Sequence, residues 1–144
     1  MNNMSDDIPD NAIQVVEHTA DWALQLRGSD LTELFRHAAV GIARLLVADP
    51  AAVPLETRRE LSLEAYDAEG LLVEWLGELA YWAEQEGLVF PVVEHLEVTP
   101  DRLAGSLHGG PAPELQKHIK AVTYHDLAIR EHDGELEVTV VFDV

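Results

Sequence analysis

WALQLRGSDLTELFRHAAVGIARLL, Trp22 to Leu46, changes its hydrophobic period halfway along. Trp22, Leu24 and Leu26 alternate with Ala23, Gln25 and Arg27, the repeat of a half-buried strand, and Gly28 ends it. Beyond it, Leu31, Leu34, Phe35, Ala38, Ile42, Leu45 and Leu46 recur at the spacing of one helical face. Ser29 or Asp30 can cap this helix, and Glu33 follows Asp30 by three residues, as in a capping box. Asp49-Pro50 stops it, so a helix is predicted over 30–48. His37 falls on its polar face and is expected to be solvated.

Working outward, Ile13, Val15 and Val16 suggest a short strand that runs into Glu17-His18-Thr19-Ala20-Asp21. Residues 1–12 read as a disordered polar lead-in, which leaves one domain over 13–144. Downstream, residues 50–57 are a proline-containing connection and 58–66 alternate as a strand. A second helix is expected at 68–86, with Leu72, Trp75, Leu76, Leu79 and Trp82 as its apolar stripe and Gly87 at its C′ position. That stripe is read as core rather than as a cofactor box. Leu88–Phe90 and His95–Thr99 read as strands on either side of Pro91, and Arg102–His108 should pair with them through the Pro100-Asp101 turn. Residues 109–113 read as a loop. Residues 120–131 and 135–144 read as strands joined by a hairpin at Asp133-Gly134. A phase change near His125-Asp126 marks either a β-bulge or a simple kink. The fold class is α+β: a mostly antiparallel sheet with two amphipathic helices packed on it, in one domain.

Length and charge limit the function. The chain has 144 residues, 47% of them apolar, enough to fill a core. Nine Lys and Arg against 27 Asp and Glu leave a net charge of −18. Residues 1–72 hold 13 acids and 5 bases, and residues 73–144 hold 14 acids and 4 bases, so the charge is a coat and not a tail. Such a surface repels nucleic-acid phosphate and anionic lipid, and it favours a metal cation or a basic protein partner. The coat also suits a salty cytoplasm. Without cysteine there is no disulfide, thiolate catalyst or iron–sulfur ligand. No apolar run approaches the roughly 20 residues of a membrane helix, and the start shows no signal-peptide pattern, so a cytoplasmic location is expected.

No nucleophile elbow, P-loop, dinucleotide fingerprint or zinc helix is present, and the seven histidines are scattered. His95 and His108 sit on candidate strands and read as structural. Two acids stand out. Asp21 precedes a strand, and Asp143 closes one whose core face is Leu136, Val138, Val140 and Phe142, where Asp is disfavoured. If those strands are neighbours, the two carboxylates and Val144 supply oxygen ligands for a hard cation; otherwise both merely end strands. Lys120, one of two lysines, is either a counter-ion or phosphate contact for this cluster or an ordinary edge lysine.

With these segments the chain resembles the archease family. The resemblance rests on Glu17-His18-Thr19-Ala20-Asp21, on Leu34-Phe35, on Leu72-Val73-Glu74-Trp75-Leu76, on Lys120-Ala121-Val122-Thr123-Tyr124-His125 and on Val141-Phe142-Asp143-Val144. It spans about residues 13–144 and implies a helper protein rather than an enzyme. Archeases act with RtcB-type RNA ligases of tRNA splicing and RNA repair, promoting guanylylation of the ligase by GTP and restoring multiple turnover. The resemblance implies a divalent metal, Ca²⁺ first and Mg²⁺ or Mn²⁺ otherwise, at Asp21, Asp143 and Val144. It also implies a functional lysine at Lys120, and roles for His18 and Glu17 that are functional or structural. The expected partner is the ligase, with no direct nucleic-acid or membrane contact. The rival classes are a general chaperone or adaptor for nucleic-acid-modifying proteins, and a metal-dependent hydrolase. Absence of a nucleophile–base pair speaks against the hydrolase.

Overall fold

Strand β1 (Ile13–Glu17) pairs antiparallel with β2 (Trp22–Gly28), and the chain then enters helix α1 (Leu31–Leu46) as the change of period predicts. This computed structural model describes residues 8–17 and 21–144. Residues 1–7 of the expected lead-in therefore lie outside the described residues. Its remainder is ordered: Asp10–Ala12 make a 3-10 turn, Ala12 is buried and Ile8 packs against the core, so the fold starts ahead of residue 13.

The cap of α1 is reciprocal. The Asp30 carboxylate accepts from the Glu33 backbone N–H at 2.8 Å, and Glu33 Oε1 accepts from Ser29 N at 2.7 Å. The bond from Ser29 holds the Glu33 carboxyl below its usual pKa. A short 3-10 turn, Pro50–Ala52, leads to strand β3 (Thr57–Glu64) and then to helix α2 (Ala68–Glu86). Asp67 caps α2 by accepting from Gly70 N, and Gly87 closes it in the left-handed conformation.

Strand β4 (Leu88–Thr99) turns back into β5 (Arg102–Pro111). Pro91 does not divide β4 as expected; the strand runs through it with register shifts at Val89/Val92 and Val93/His95. The expected loop at 109–113 begins only after Pro111, because Gly109 and Gly110 continue β5. There the backbone is so close that a Cβ on Gly110 would run into the Pro54 carbonyl oxygen.

The expected long strand at 120–131 is broken. Only Ala121–Val122 (β6) and Arg130–His132 (β7) pair with β8 (Glu135–Asp143). Between them Asp126 takes a positive φ of 51°, so the phase change marks a turn and neither a bulge nor a kink. The turn holds because Ile129 N donates to Glu69 Oε2 of α2 at 3.0 Å, a bond a continuous strand would forgo. The hairpin between β7 and β8 forms as expected, with Asp133 and Gly134 at φ of 52° and 80°, the two left-handed residues of a type I′ turn.

The strands make two antiparallel sheets, not one: a five-stranded sheet ordered β1-β2-β8-β6 with β7 also on β8, and a three-stranded sheet ordered β3-β5-β4. Helix α1 lies between them, against β2 on one side and β4 on the other. It is therefore buried on both sides, and Ala38, Ala39, Gly41 and Ala43 allow the close approach. His37 is buried too, contrary to expectation, and its Nδ1 donates to the Arg27 carbonyl oxygen at 2.6 Å. Helix α2 keeps the single stripe read from the sequence, and Trp75 Nε1 ties it to α1 by donating to Phe35 O at 2.9 Å.

Candidate functional site

The register of β2 on β8 decides where the two singled-out acids lie. Trp22 stands opposite Phe142 in the last rung of the pairing, and Asp21 and Asp143 each adjoin that rung in sequence. Inward positions on these strands are Leu24, Leu26, Val138, Val140 and Phe142, all buried. Asp21 and Asp143 have the other parity and share the outer face. Asp21 is half-buried and Asp143 exposed.

Lys120 reaches the same place through the backbone. Its N–H donates to the Asp143 carbonyl oxygen at 2.8 Å, and Thr123 N donates to Val141 O at 2.9 Å. Ala121 stands opposite Asp143. Asp21, Lys120, Asp143 and Val144 thus gather at one end of the larger sheet. Glu17 comes to that end but pairs with Trp22, on the opposite face from the two carboxylates. His18 lies outside the described residues. Among the described residues, no group of three or more His, Asp or Glu side chains is drawn together as a metal cage.

The sequence reading missed Lys117. Its Nζ sits 4.0 Å from the centroid of the ring of Trp22, the residue that follows Asp21 in the chain. The available signal was that Lys117 and Lys120 are the chain's two lysines, three residues apart.

Other polar clusters are accounted for by the fold. On the smaller sheet, Glu94 Oε1 accepts from Arg58 Nε at 2.8 Å and from Ser106 Oγ at 3.0 Å, and His108 Nε2 lies 3.4 Å away. Arg58 foremost, then Ser106, hold the Glu94 carboxyl down at about 2. The Ser106 hydroxyl donates to Glu94, whose carboxylate is already engaged by Arg58. His108 faces Glu94, and His95 faces Glu97 at the surface. A polar recess of about 270 Å³ on the outer face of the larger sheet includes Arg27 and Arg130 on either side of Glu137, with Arg27 ion-paired to Glu137 at 3.1 Å.

An α+β domain of two antiparallel sheets around two helices has known counterparts. The chain belongs to the archease family: it matches the family described as "Archease protein family (MTH1598/TM1083)" over residues 14–144. It is 31% identical to the protein archease of Methanosarcina mazei over 139 residues, covering 91% of this chain and 94% of that one. To the protein archease of Sulfurisphaera tokodaii it is 30% identical over 136 residues, covering 89% and 95%. In structure it is similar to protein 1598 of Methanobacterium thermoautotrophicum, with a TM-score of 0.76 at 24% identity over 92% of this chain and 99% of that one. It is also similar to an archease of Thermotoga maritima described as a "possible chaperone", with a TM-score of 0.61 at 21% identity over 91% and 96%. These two likenesses bear on the fold alone, and they agree with the α+β class read from the sequence. Among the described residues no helix is long and apolar enough to cross a membrane.

Proposed function

We propose that this protein activates an RtcB-type, GTP-dependent RNA ligase, promoting its guanylylation and multiple turnover through the acidic sheet end that carries Asp21, Asp143 and Lys120. The observation that supports the reading is the end of the β2–β8 pairing at Trp22 and Phe142, which Asp21 and Asp143 adjoin, with the Lys120 N–H bonded to the Asp143 carbonyl oxygen. Carboxylates gathered at one sheet end repel unless a cation or a basic partner offsets them.

The donor chemistry fits a hard divalent cation, Ca²⁺ first and Mg²⁺ or Mn²⁺ otherwise. The groups are oxygen donors only, from Asp21, Asp143 and the backbone oxygens of Val144. When bound, such an ion supplies positive charge to phosphate oxygens in the ligase cleft. The chain's own residues do the rest: the strand ends hold the carboxylates rigidly, and the −18 surface draws the protein to a basic, phosphate-binding enzyme. RNA chemistry is then served without contact between this protein and RNA.

The test is ligation under multiple turnover, with the RNA ligase of the same source kept sub-stoichiometric to RNA and with GTP and divalent metal present. Wild-type protein should raise the rate. Asp21→Asn and Asp143→Asn should each reduce the gain by about tenfold or more, a loss that even outer-sphere groups of metal sites can produce. Their melting temperatures should stay near wild type. Full stimulation by both variants sinks the proposal. The rival is a general chaperone, which the acidic coat and the description of the Thermotoga relative favour. It predicts that many unrelated basic proteins are kept from aggregating, with no dependence on Asp21.

A further inference from the structure

We infer that Lys117, stacked on Trp22, is a positioning residue of the acidic sheet end, and that it holds the segment carrying Lys120 against the end of β2 next to Asp21. The functional half of this inference rests on the ligase-activation reading; the structural half does not.

The chain has two lysines, and both reach this end of the sheet. Arg27, Arg58, Arg59 and Arg102 are each ion-paired to a glutamate. The two lysines make no ion pair among the described residues, although the chain carries 27 acids. Lys120 is exposed, whereas Lys117 is half-buried with its ammonium over an indole face, the ring that holds a cation best. A lysine that only solubilised the surface would extend into water.

Connectivity gives the contact its purpose. Residues 112–120 run from the end of β5 to β6 without helix or strand. Gln116 fastens this strap to the C-terminus of α1: its N donates to Leu46 O at 2.8 Å, and its Nε2 reaches the Arg44 and Leu45 oxygens, each at 3.1 Å. Ile119 is buried, and Lys120 N then meets Asp143 O. Lys117 touches β2 at Trp22, the residue next to Asp21. Asp21 and Lys120 otherwise arrive on separate elements, each adjoining β8. The Lys117–Trp22 contact joins those two elements directly.

The experiment compares wild type with Lys117→Met, Lys117→Arg, Trp22→Leu and the double variant Lys117→Met/Trp22→Leu, all in the full chain. The first readout is amide hydrogen exchange. Loss of a cation–π contact should speed exchange at Lys120 and Thr123 by about two- to fivefold, with α1 and β5 unchanged. Lys117→Arg should restore wild-type protection, because guanidinium also stacks on indole. The double variant should match the single ones, the mark of one shared contact. The second readout is multiple-turnover ligation, where Lys117→Met should lose stimulation and Lys117→Arg regain it. Unchanged exchange at Lys120 and Thr123 in Lys117→Met overturns the inference. Altered exchange with undiminished stimulation overturns its functional half. If wild type itself gives no stimulation, the ligase reading falls, and the exchange data still decide the structural half.

Discussion

Gly110 shows how little room a single residue can have. Its missing Cβ lets β5 pass the Pro54 carbonyl, and Gly110→Ala would force two backbones apart. The expected cost is about 3 kcal/mol or more, the upper range of overpacking, since neither neighbour is a flexible side-chain end. Gly77, inside α2, meets nothing within 4 Å of an added Cβ. Gly77→Ala should therefore stabilise by about 0.5–1 kcal/mol through helix propensity. Urea unfolding of the two variants checks both signs; equal effects would show that packing at Gly110 does not matter. Neither outcome is legible in the sequence, because the neighbours that decide it lie outside the local stretch around each glycine. His37 teaches the same lesson: it lies on the polar side of its helix pattern, yet that side faces a second layer and the Arg27 carbonyl.

At the scale of elements, Glu94 joins the three strands of the smaller sheet. It sits on β4, Arg58 on β3, and Ser106 and His108 on β5. Its carboxyl falls from an ordinary 4.5 to about 2 in the fold, so the folded state binds its proton less readily than the unfolded chain. The stabilisation is complete above about pH 4.5 and is lost as pH falls toward 2. Glu94→Gln lacks it at every pH. The gap in melting temperature between wild type and Glu94→Gln should therefore shrink as pH drops from 5 to 2.5, and a gap constant over that range would contradict the linkage. The strands themselves were mostly legible, because two-residue alternation, caps and an Asp-Gly turn are local signals. Failures came where a distant group competes. Glu69 on α2 breaks the expected strand at 120–131, and Pro54 shapes the glycines that looked like a loop.

Across the whole molecule the −18 charge sets the response to salt. The surface ion pairs, such as Arg58–Glu94 and Arg59–Glu86, engage a minority of the 27 acids. Exposed pairs are worth at most about 1 kcal/mol each, so self-repulsion should outweigh what screening takes from them. Raising sodium chloride from about 10 to 100 mM shortens the screening length from about 30 Å to 10 Å and should raise the melting temperature. A fall over that range would mean that the ion pairs dominate.

The chain alone specified the α+β class, both helices with their caps, the hairpin at Asp133-Gly134 and the acidic coat. Each depends on residues within a few positions of one another, or on composition. It also carried enough ordered motifs to mark the family, which the match over residues 14–144 bears out. The second sheet, the two-sided burial of α1, the contact of Lys117 with Trp22 and the pairing that brings Trp22 opposite Phe142 belong to the tertiary structure. These pairings join residues from distant parts of the chain. Register selects them by burying Leu24, Leu26, Val138 and Val140 together, and no local spacing encodes which strand lies beside which.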